Sequence, residues 1–333
     1  MNYAPIIIPT CNRIIHLKRL IESLKNNNWA QYTDLYISVD VPPEERFVDG
    51  HEDVVEYVKQ ITGFNTVKYF IQERNLGAYC NYEFLINKIS KSYDSFIFLE
   101  DDNEVSANFI EYMDKMLEYF ENDSSVFAVC AKNDNNAYRG DGSYYMCQIC
   151  SPYGLGLWVN KFNNMKTYTN ATYFYNTAKS LKKCFKLWNL SELQFMYFAG
   201  DLLREVNPMR SPDGDIASID ITMTIAVLLE DMKCVYPLIN KCRNWGDDGT
   251  GVHSGTQKKV EIVTEKELDT DTEFNIVDGT RQEDVFLVQK HRTRETRKMT
   301  LKSNVRSWIV VIAHIILSDK MFDLLRRLIH KEV

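Results

Sequence analysis

No glycine-rich phosphate loop opens this sequence. There is no GxGxxG after the first apolar run and no GxxxxGK[ST] anywhere, which disfavours a dinucleotide fold and a P-loop. No apolar run reaches the ~18–20 residues that a spanning helix requires. No secretory leader precedes Ala4–Ile8, so the eight cysteines are expected as free thiols in a reducing cytoplasm. Cys147-Gln-Ile-Cys150 is a single CxxC with no partner pair, which argues against zinc. A basic surface is missing too: the net charge is −7, against general nucleic-acid binding. No internal repeat is visible.

What is there is ordinary for a soluble globular chain of 333 residues, 45% hydrophobic and 26% charged. The charge is unevenly spread. Residues 287–333 hold 11 Lys/Arg against 4 Asp/Glu, so this stretch is basic and the rest strongly acidic. The stretch around which the chain is organised is Phe96-Ile-Phe-Leu-Glu-Asp-Asp102. Its uninterrupted apolar run suits a strand buried on both faces. Glu100, Asp101 and Asp102 then emerge where open α/β sheets bind ligands. Three clustered carboxylates repel one another unless a cation or donors compensate, and a divalent ion carrying a nucleotide diphosphate would do so. The plainer alternative is a solvated acidic turn capping the next helix.

Along the chain, apolar strands and amphipathic helices alternate. Strands are expected at Ala4–Ile8, with Pro9 ending the first, and at Leu35–Val39, Thr66–Ile71, 96–99 and Val126–Ala131. Helices are expected at Ile14–Lys25, Glu52–Ile61, Tyr79–Ile89 and Ala107–Phe120. That order predicts an α/β fold with a mainly parallel central sheet and helices on both faces. Tyr153-Gly-Leu-Gly-Leu-Trp158 reads as a flexible aromatic wall against a flat ligand, or as an ordinary packed loop. Helical stretches follow near Tyr175–Leu187, Glu192–Val206 and Ile221–Leu229, then a strand at Cys234–Tyr236 and a glycine-dense loop at 245–255. Residues 257–304 are polar and charged, expected as an irregular arm.

Taken together these pieces resemble the GT-A glycosyltransferases, specifically the N-acetylglucosaminyltransferase I group and bacterial family 2-like enzymes. The resembling residues are Cys11-Asn12-Arg13, Ser38-Val39-Asp40, and Glu100 to Val105 with Phe109 and Glu111-Tyr112. Asn133-Asp134-Asn135, Tyr153-Gly-Leu-Gly156, Asp220, and Trp245-Gly246 through Gly251-Val252 complete the set. Two features depart from the family: a single carboxylate in Ile219-Asp220, and the loop ending at His253-Ser254.

The resemblance implies a UDP-sugar donor, inversion at the anomeric carbon, and a glycan or lipid-linked saccharide acceptor. It implies Mn²⁺ or Mg²⁺, ions that suit hard oxygen ligands and need few of them from the protein. By resemblance Asp102 ligates the metal, Asp101 lies nearer the ribose and Glu100 supports them. Pro9, Thr10, Cys11, Arg13, Asp40 and Arg74 are the candidates for holding the nucleotide and phosphates. Arg13 is otherwise a surface arginine at a helix start. His253 is the candidate second metal ligand, or else a solvated loop histidine.

Direct displacement needs a carboxylate to take the acceptor's proton. Asp220 is the candidate, with Asp215, Asp247 and Asp248 as alternates and a simple N-cap as the structural alternative. The expected division is a catalytic domain at 1–255, split into a nucleotide-sugar half at 1–132 and an acceptor-side half at 133–255. A charged arm at 256–304 and a basic amphipathic helical tail at 305–333 follow. Arg292, Arg294, Arg297, Lys298, Lys302 and Arg306 beside apolar Trp308–Leu317 suit an anionic membrane surface, contacted through residues 290–333. The alternative is a helical pair docked on the protein or a dimer contact. The expected place is the cytoplasm, on the inner face of the plasma membrane. The competing functions are a sugar-phosphate nucleotidyltransferase and a non-catalytic nucleotide-sugar-binding module.

Overall fold

The computed structural model describes residues 3–133, 141–203, 219–246, 248, 267–279 and 297–331. The chain forms two compact units, Met1–Met146 with Ser151–Lys161 and Cys234–Gln282, and Cys147–Cys150 with Phe162–Lys233 and Glu283–Val333. Each unit is assembled from separated segments, which a linear reading of composition does not reveal.

The first unit opens with β1 (Ile6–Thr10), α1 (Ile14–Lys25), β2 (Asp34–Val39), α2 (His51–Val58), β3 (Thr66–Ile71), α3 (Ala78–Ile89) and β4 (Ser95–Phe98). It continues through β5 (Asn103–Val105), α4 (Phe109–Tyr119), β6 (Val126–Cys130), β7 (Tyr144–Cys147), β8 (Leu155–Trp158), β9 (Lys233–Pro237) and β10 (Cys242–Asn244). Among the described residues, eight strands form one sheet in the order β3-β2-β1-β4-β8-β6-β9-β7. β1 pairs in parallel with β2 and β4, and β2 with β3. The parallel core expected from the strand–helix alternation is present. Ile6, Ile7, Ile8, Leu35, Ile37, Phe96 and Ile97 are wholly buried in it.

The chain runs outward from β1 to β3 and then crosses back to β4. α2 and α3 pack on β2, and α3 also on β1; right-handed crossovers set α3 on the face opposite α1 and α2. The strand order therefore reverses between β1 and β4, and a crevice opens at their carboxyl ends. Pro9 belongs to β1, in register with Ser38, rather than ending the strand before it. It still acts on the sheet. The Leu99 N–H bonds the Ile7 carbonyl, and the next rung on that side would need an N–H that proline lacks. β1 and β4 part there.

Tyr153–Trp158 is not a flexible wall. Its second half is β8, buried and antiparallel between β4 and β6. The glycines serve packing: a Cβ on Gly156 would press on Leu117 and Met113 of α4, and Gly154 sits at φ 70° against Ala131. Trp158 donates its indole N–H to the Leu117 carbonyl at 3.2 Å. Part of the expected irregular arm is described. Residues 267–279 carry no regular secondary structure and belong to the first unit, with Phe274 buried edge-on against Tyr112. There Asp269 accepts from Asn108 Nδ2 at 3.0 Å and pairs with buried Lys241.

The second unit is helical: α5 (Val159–Thr169, most of it), α6 (Ala171–Ala178), α7 (Leu181–Leu190), α8 (Glu192–Leu203), α9 (Ile219–Leu229), α10 (Arg297–Ile316) and α11 (Asp319–Lys331). The single helix expected near Tyr175–Leu187 is two, because the Ser180 hydroxyl caps the start of α7. Phe174, Leu187, Phe195, Phe198, Ile225, Val311 and Phe322 share one core. The inner faces of α10 and α11 dock on the helices before them. No helix among the described residues is long and apolar enough to cross a membrane.

Candidate active site

The crevice between β1 and β4 gathers the chemistry-bearing residues. β4 ends in a tight turn in which Asn103 N–H bonds the Glu100 carbonyl and Asn103 Oδ1 accepts from Glu100 N, both at 3.1 Å. This turn carries Asp101 and Asp102 inward, where they are 4% and 7% exposed. Thr10, the last residue of β1, donates its hydroxyl to Asp101 Oδ2 at 2.8 Å. Arg13 binds both carboxylates, reaching Asp101 through Nη2 and Asp102 Oδ2 through Nη1 at 2.8 Å. Burial works against the arginine's charge, but the two carboxylates outweigh it and hold the guanidinium protonated.

Asp102 is also held from far along the chain. β10 pairs antiparallel with β5, and this short ribbon brings Asn244 Nδ2 to Asp102 Oδ1 at 2.5 Å. Trp245 N–H bonds the Asp102 carbonyl at 2.9 Å. A Cβ on Gly246 would lie 2.4 Å from Asp102 Oδ2, so only glycine leaves that oxygen its space. Burial, joined by the Asp101 charge, raises the Asp102 carboxyl above its ordinary range in spite of Arg13. Two adjacent buried carboxylates against one guanidinium leave a negative charge short of compensation. His16 of α1, buried beside them, bonds Asp248 through Nε2 at 2.9 Å.

A divalent cation fits this donor set. The ligands are hard oxygens, and the charge needs a further positive partner. Asp102 and Asp101 are the residues that would hold it.

Asp40, buried at the end of β2, is saturated. Its two oxygens accept from the N–H groups of Val41, Leu76 and Gly77 at 2.8–2.9 Å and from Asn75 Nδ2 at 3.3 Å. Those four bonds fill a carboxylate's acceptor capacity. Its observed work is to fix the turn into α3, where Gly77 takes a φ of 79°. Cys11 is likewise a neutral packing group. Its thiol is pushed up to about 11, first by burial and then by the charges of Asp40 and Asp101. His51 Nδ1 lies 2.9 Å from the Cys11 carbonyl and fixes this loop. Arg74 is exposed in the chain leading to the same turn.

The structure thus brings Pro9, Thr10, Cys11, Arg13, Glu100, Asp101 and Asp102 together, with Asp40 bracing the neighbouring turn. Asp220 lies in α9, and the residues that precede Ile219 lie outside the described residues. His253, Asp215 and Asp247 lie outside the described residues. Sequence reasoning passed over Asn244, His16 and the Glu104–Arg243 pair (2.8 Å), which also receives Trp245 Nε1 on Glu104 at 2.6 Å. A polar tripeptide such as Cys242-Arg-Asn244 carries no periodic signal; only the β5–β10 pairing reveals its place.

An acidic turn thus lies at the switch point of a mainly parallel sheet, braced by an arginine from the first loop, at the place where open α/β sheets bind ligands. Residues 1–141 match the model of the GNT-I family, so the glycosyltransferase resemblance holds over that stretch. No curated protein matches the chain. Among solved structures, S. aureus TarS 1–349 shares 14% identity, covering 49% of this chain and 50% of its own, with a TM-score of 0.35. The mannosyltransferase PcManGT from Pyrobaculum calidifontis, in complex with GDP-Man and Mn²⁺, shares 12%, covering 50% and 46%, at 0.36. Mouse xyloside xylosyltransferase 1 shares 10%, covering 48% and 68%, at 0.31. The chain spans about half the length of the TarS fragment.

Proposed function

We propose that this chain is a metal-dependent inverting glycosyltransferase. It would move a hexose, such as N-acetylglucosamine, from a UDP-sugar to a hydroxyl of a glycan or lipid-linked acceptor in bacterial surface polysaccharide synthesis. The observation that carries the reading is the buried Asp101–Asp102 pair, short of positive charge, inside the stretch that matches the GNT-I family model. A bound Mn²⁺ or Mg²⁺ would supply Lewis-acid stabilisation of the departing diphosphate.

The protein's own residues supply the rest. Thr10 and Asn244 orient the two carboxylates, and glycine at 246 spares Asp102 Oδ2 a clash. Arg13, at the start of α1, holds both carboxylates and is the residue proposed to meet the donor's phosphates beside them. The turn braced by Asp40 forms the nucleoside side, with Arg74 at its rim. Asp220 is the residue proposed to take the acceptor's proton, and His253 the proposed second ligand; both rest on the family resemblance.

Calorimetry with UDP and Mn²⁺, followed by UDP release across a panel of donors, tests the reading. Binding of UDP that requires Mn²⁺, and turnover lost in EDTA and in Asp102→Asn, is the expected result, since an amide is a poorer ligand for a hard cation. Pyrophosphate release from UTP would favour a nucleotidyltransferase, and binding without turnover on any donor would favour a binding module.

A further inference from the structure

α10 is apolar on two opposite faces. Ser307, Val310, Val311 and His314 turn inward and are buried. Leu301, Val305, Ile309, Ile312 and Ile316, spaced three or four apart on the other side, are 43–75% exposed. Such spacing makes one continuous stripe along the helix. An isolated exposed leucine is unremarkable, but five in register on one helix are a surface. The stripe continues sideways into an apolar groove of ≈ 450 Å³, lined among others by Trp188, Trp308, Ile309 and Ile312.

α11 repeats the arrangement. Phe322 faces the core, while Met321, Leu324, Leu325 and Leu328 are exposed on the opposite side. Basic side chains flank both stripes. Lys302 and Arg306 are exposed on α10, and Lys320 and Arg327 on α11. Docking on the protein therefore accounts for one face of each helix and leaves the other face uncovered among the described residues.

We propose that these outer faces form a docking surface for an anionic lipid bilayer, with α10 and α11 lying along it rather than crossing it. The apolar stripes match the acyl boundary, and the basic side chains match the headgroups. Tryptophan at the groove suits the same boundary layer. Charge decides against a second copy of the chain. Two copies meeting face to face would set the same basic residues against each other in a region that carries 11 Lys/Arg to 4 Asp/Glu. The inference stands apart from the catalytic reading, since no part of it uses the acidic site.

The test is sedimentation of the full chain with vesicles of phosphatidylcholine alone, and of phosphatidylcholine mixed with phosphatidylglycerol. Binding at least ~10-fold tighter on the anionic vesicles, and weakened by salt, is expected. Lys302→Gln/Arg306→Gln/Arg327→Gln should lose the preference for anionic lipid. Ile309→Ser/Ile312→Ser/Leu324→Ser should bind both vesicles ~10-fold more weakly. Both variants should melt like the parent, because these side chains are exposed; if the serine variant melts early, the glutamine variant decides. No binding by the full chain, or binding unchanged in the glutamine variant, overturns the proposal. So does a concentration-dependent dimer that the serine variant dissociates, which would assign the face to a second copy.

Discussion

Asn244 donates its side-chain amide to Asp102 from 142 residues further along the chain, Nδ2 to Oδ1 at 2.5 Å. The same Asn244 accepts Gly246 N–H on its Oδ1 at 2.8 Å, so one side chain sets both the carboxylate and the loop beside it. Asn244→Ala should weaken Mn²⁺-dependent UDP binding and turnover by ~10–100-fold, the range seen when the partner of a metal ligand is removed. Melting should change little, as Asn244 is half-buried at the end of a two-stranded ribbon. Calorimetry and UDP release read both effects; wild-type values in each would show that Asp102 needs no such orientation.

Asp220 offers a sharper separation. As the acceptor's base, Asp220→Asn should leave UDP and metal affinity near the parent's while turnover falls by ~10²–10⁴. The acidic limb of the pH–rate profile should vanish with the carboxylate. A helix-terminal role predicts instead a modest drop in melting temperature and near-normal turnover. Near-normal turnover would transfer the role to Asp215, Asp247 or Asp248.

Asp114 ties stability to pH. Burial pushes its carboxyl up to about 7, helped by Glu118 and opposed by one bond from Ala4 N–H at 2.9 Å. Between the ordinary value of 3.8 and about 7 the unfolded chain is ionised while the folded one keeps its proton. Stability should therefore fall as pH rises through that window and level off above it, by an amount on the order of a few kcal/mol. Asp114→Asn should remove this slope and raise the melting temperature most above pH ~7. Denaturant titrations at several pH values check it; an unchanged slope would place the linkage elsewhere.

Lys241 and Asp269 pin the 267–279 segment to the first unit from a buried position. Asp269→Ala leaves the lysine buried without its carboxylate and should cost about 3–5 kcal/mol. Lys241→Met combined with Asp269→Leu should recover most of that loss, since a matched apolar pair carries no desolvation penalty. Chemical denaturation of the two variants distinguishes a lost anchor from a stranded charge.

The parallel half of the sheet was legible because Ile6–Ile8, Leu35–Val39 and Phe96–Leu99 are long apolar runs separated by helices with clear spacing. The acidic turn was legible for the same reason: carboxylates directly after a buried strand conflict with burial. β8 was not, since Gly154 and Gly156 mimic a loop and their packing role depends on α4. In sequence Asp40 suits a ligand, yet its acceptor positions are taken by the backbone at 41, 76 and 77, a local geometry that no spacing rule encodes. The 267–279 segment reads as solvated because it is charged; burial of Asp269 becomes affordable only with Lys241 and Asn108 around it.

The place of β8 between β4 and β6 also sets a timetable for synthesis. By the time residue 99 has left the ribosome, β1 to β4 can pair, but the outer edge of β4 stays bare. Its partner, Leu155–Trp158, arrives only after the whole of α4, β6 and β7 has been made. During that interval the nascent chain carries an apolar strand edge of the kind that recruits other chains. Slow elongation between residues 99 and 158 would lengthen that exposure, whereas slow elongation after 158 would not.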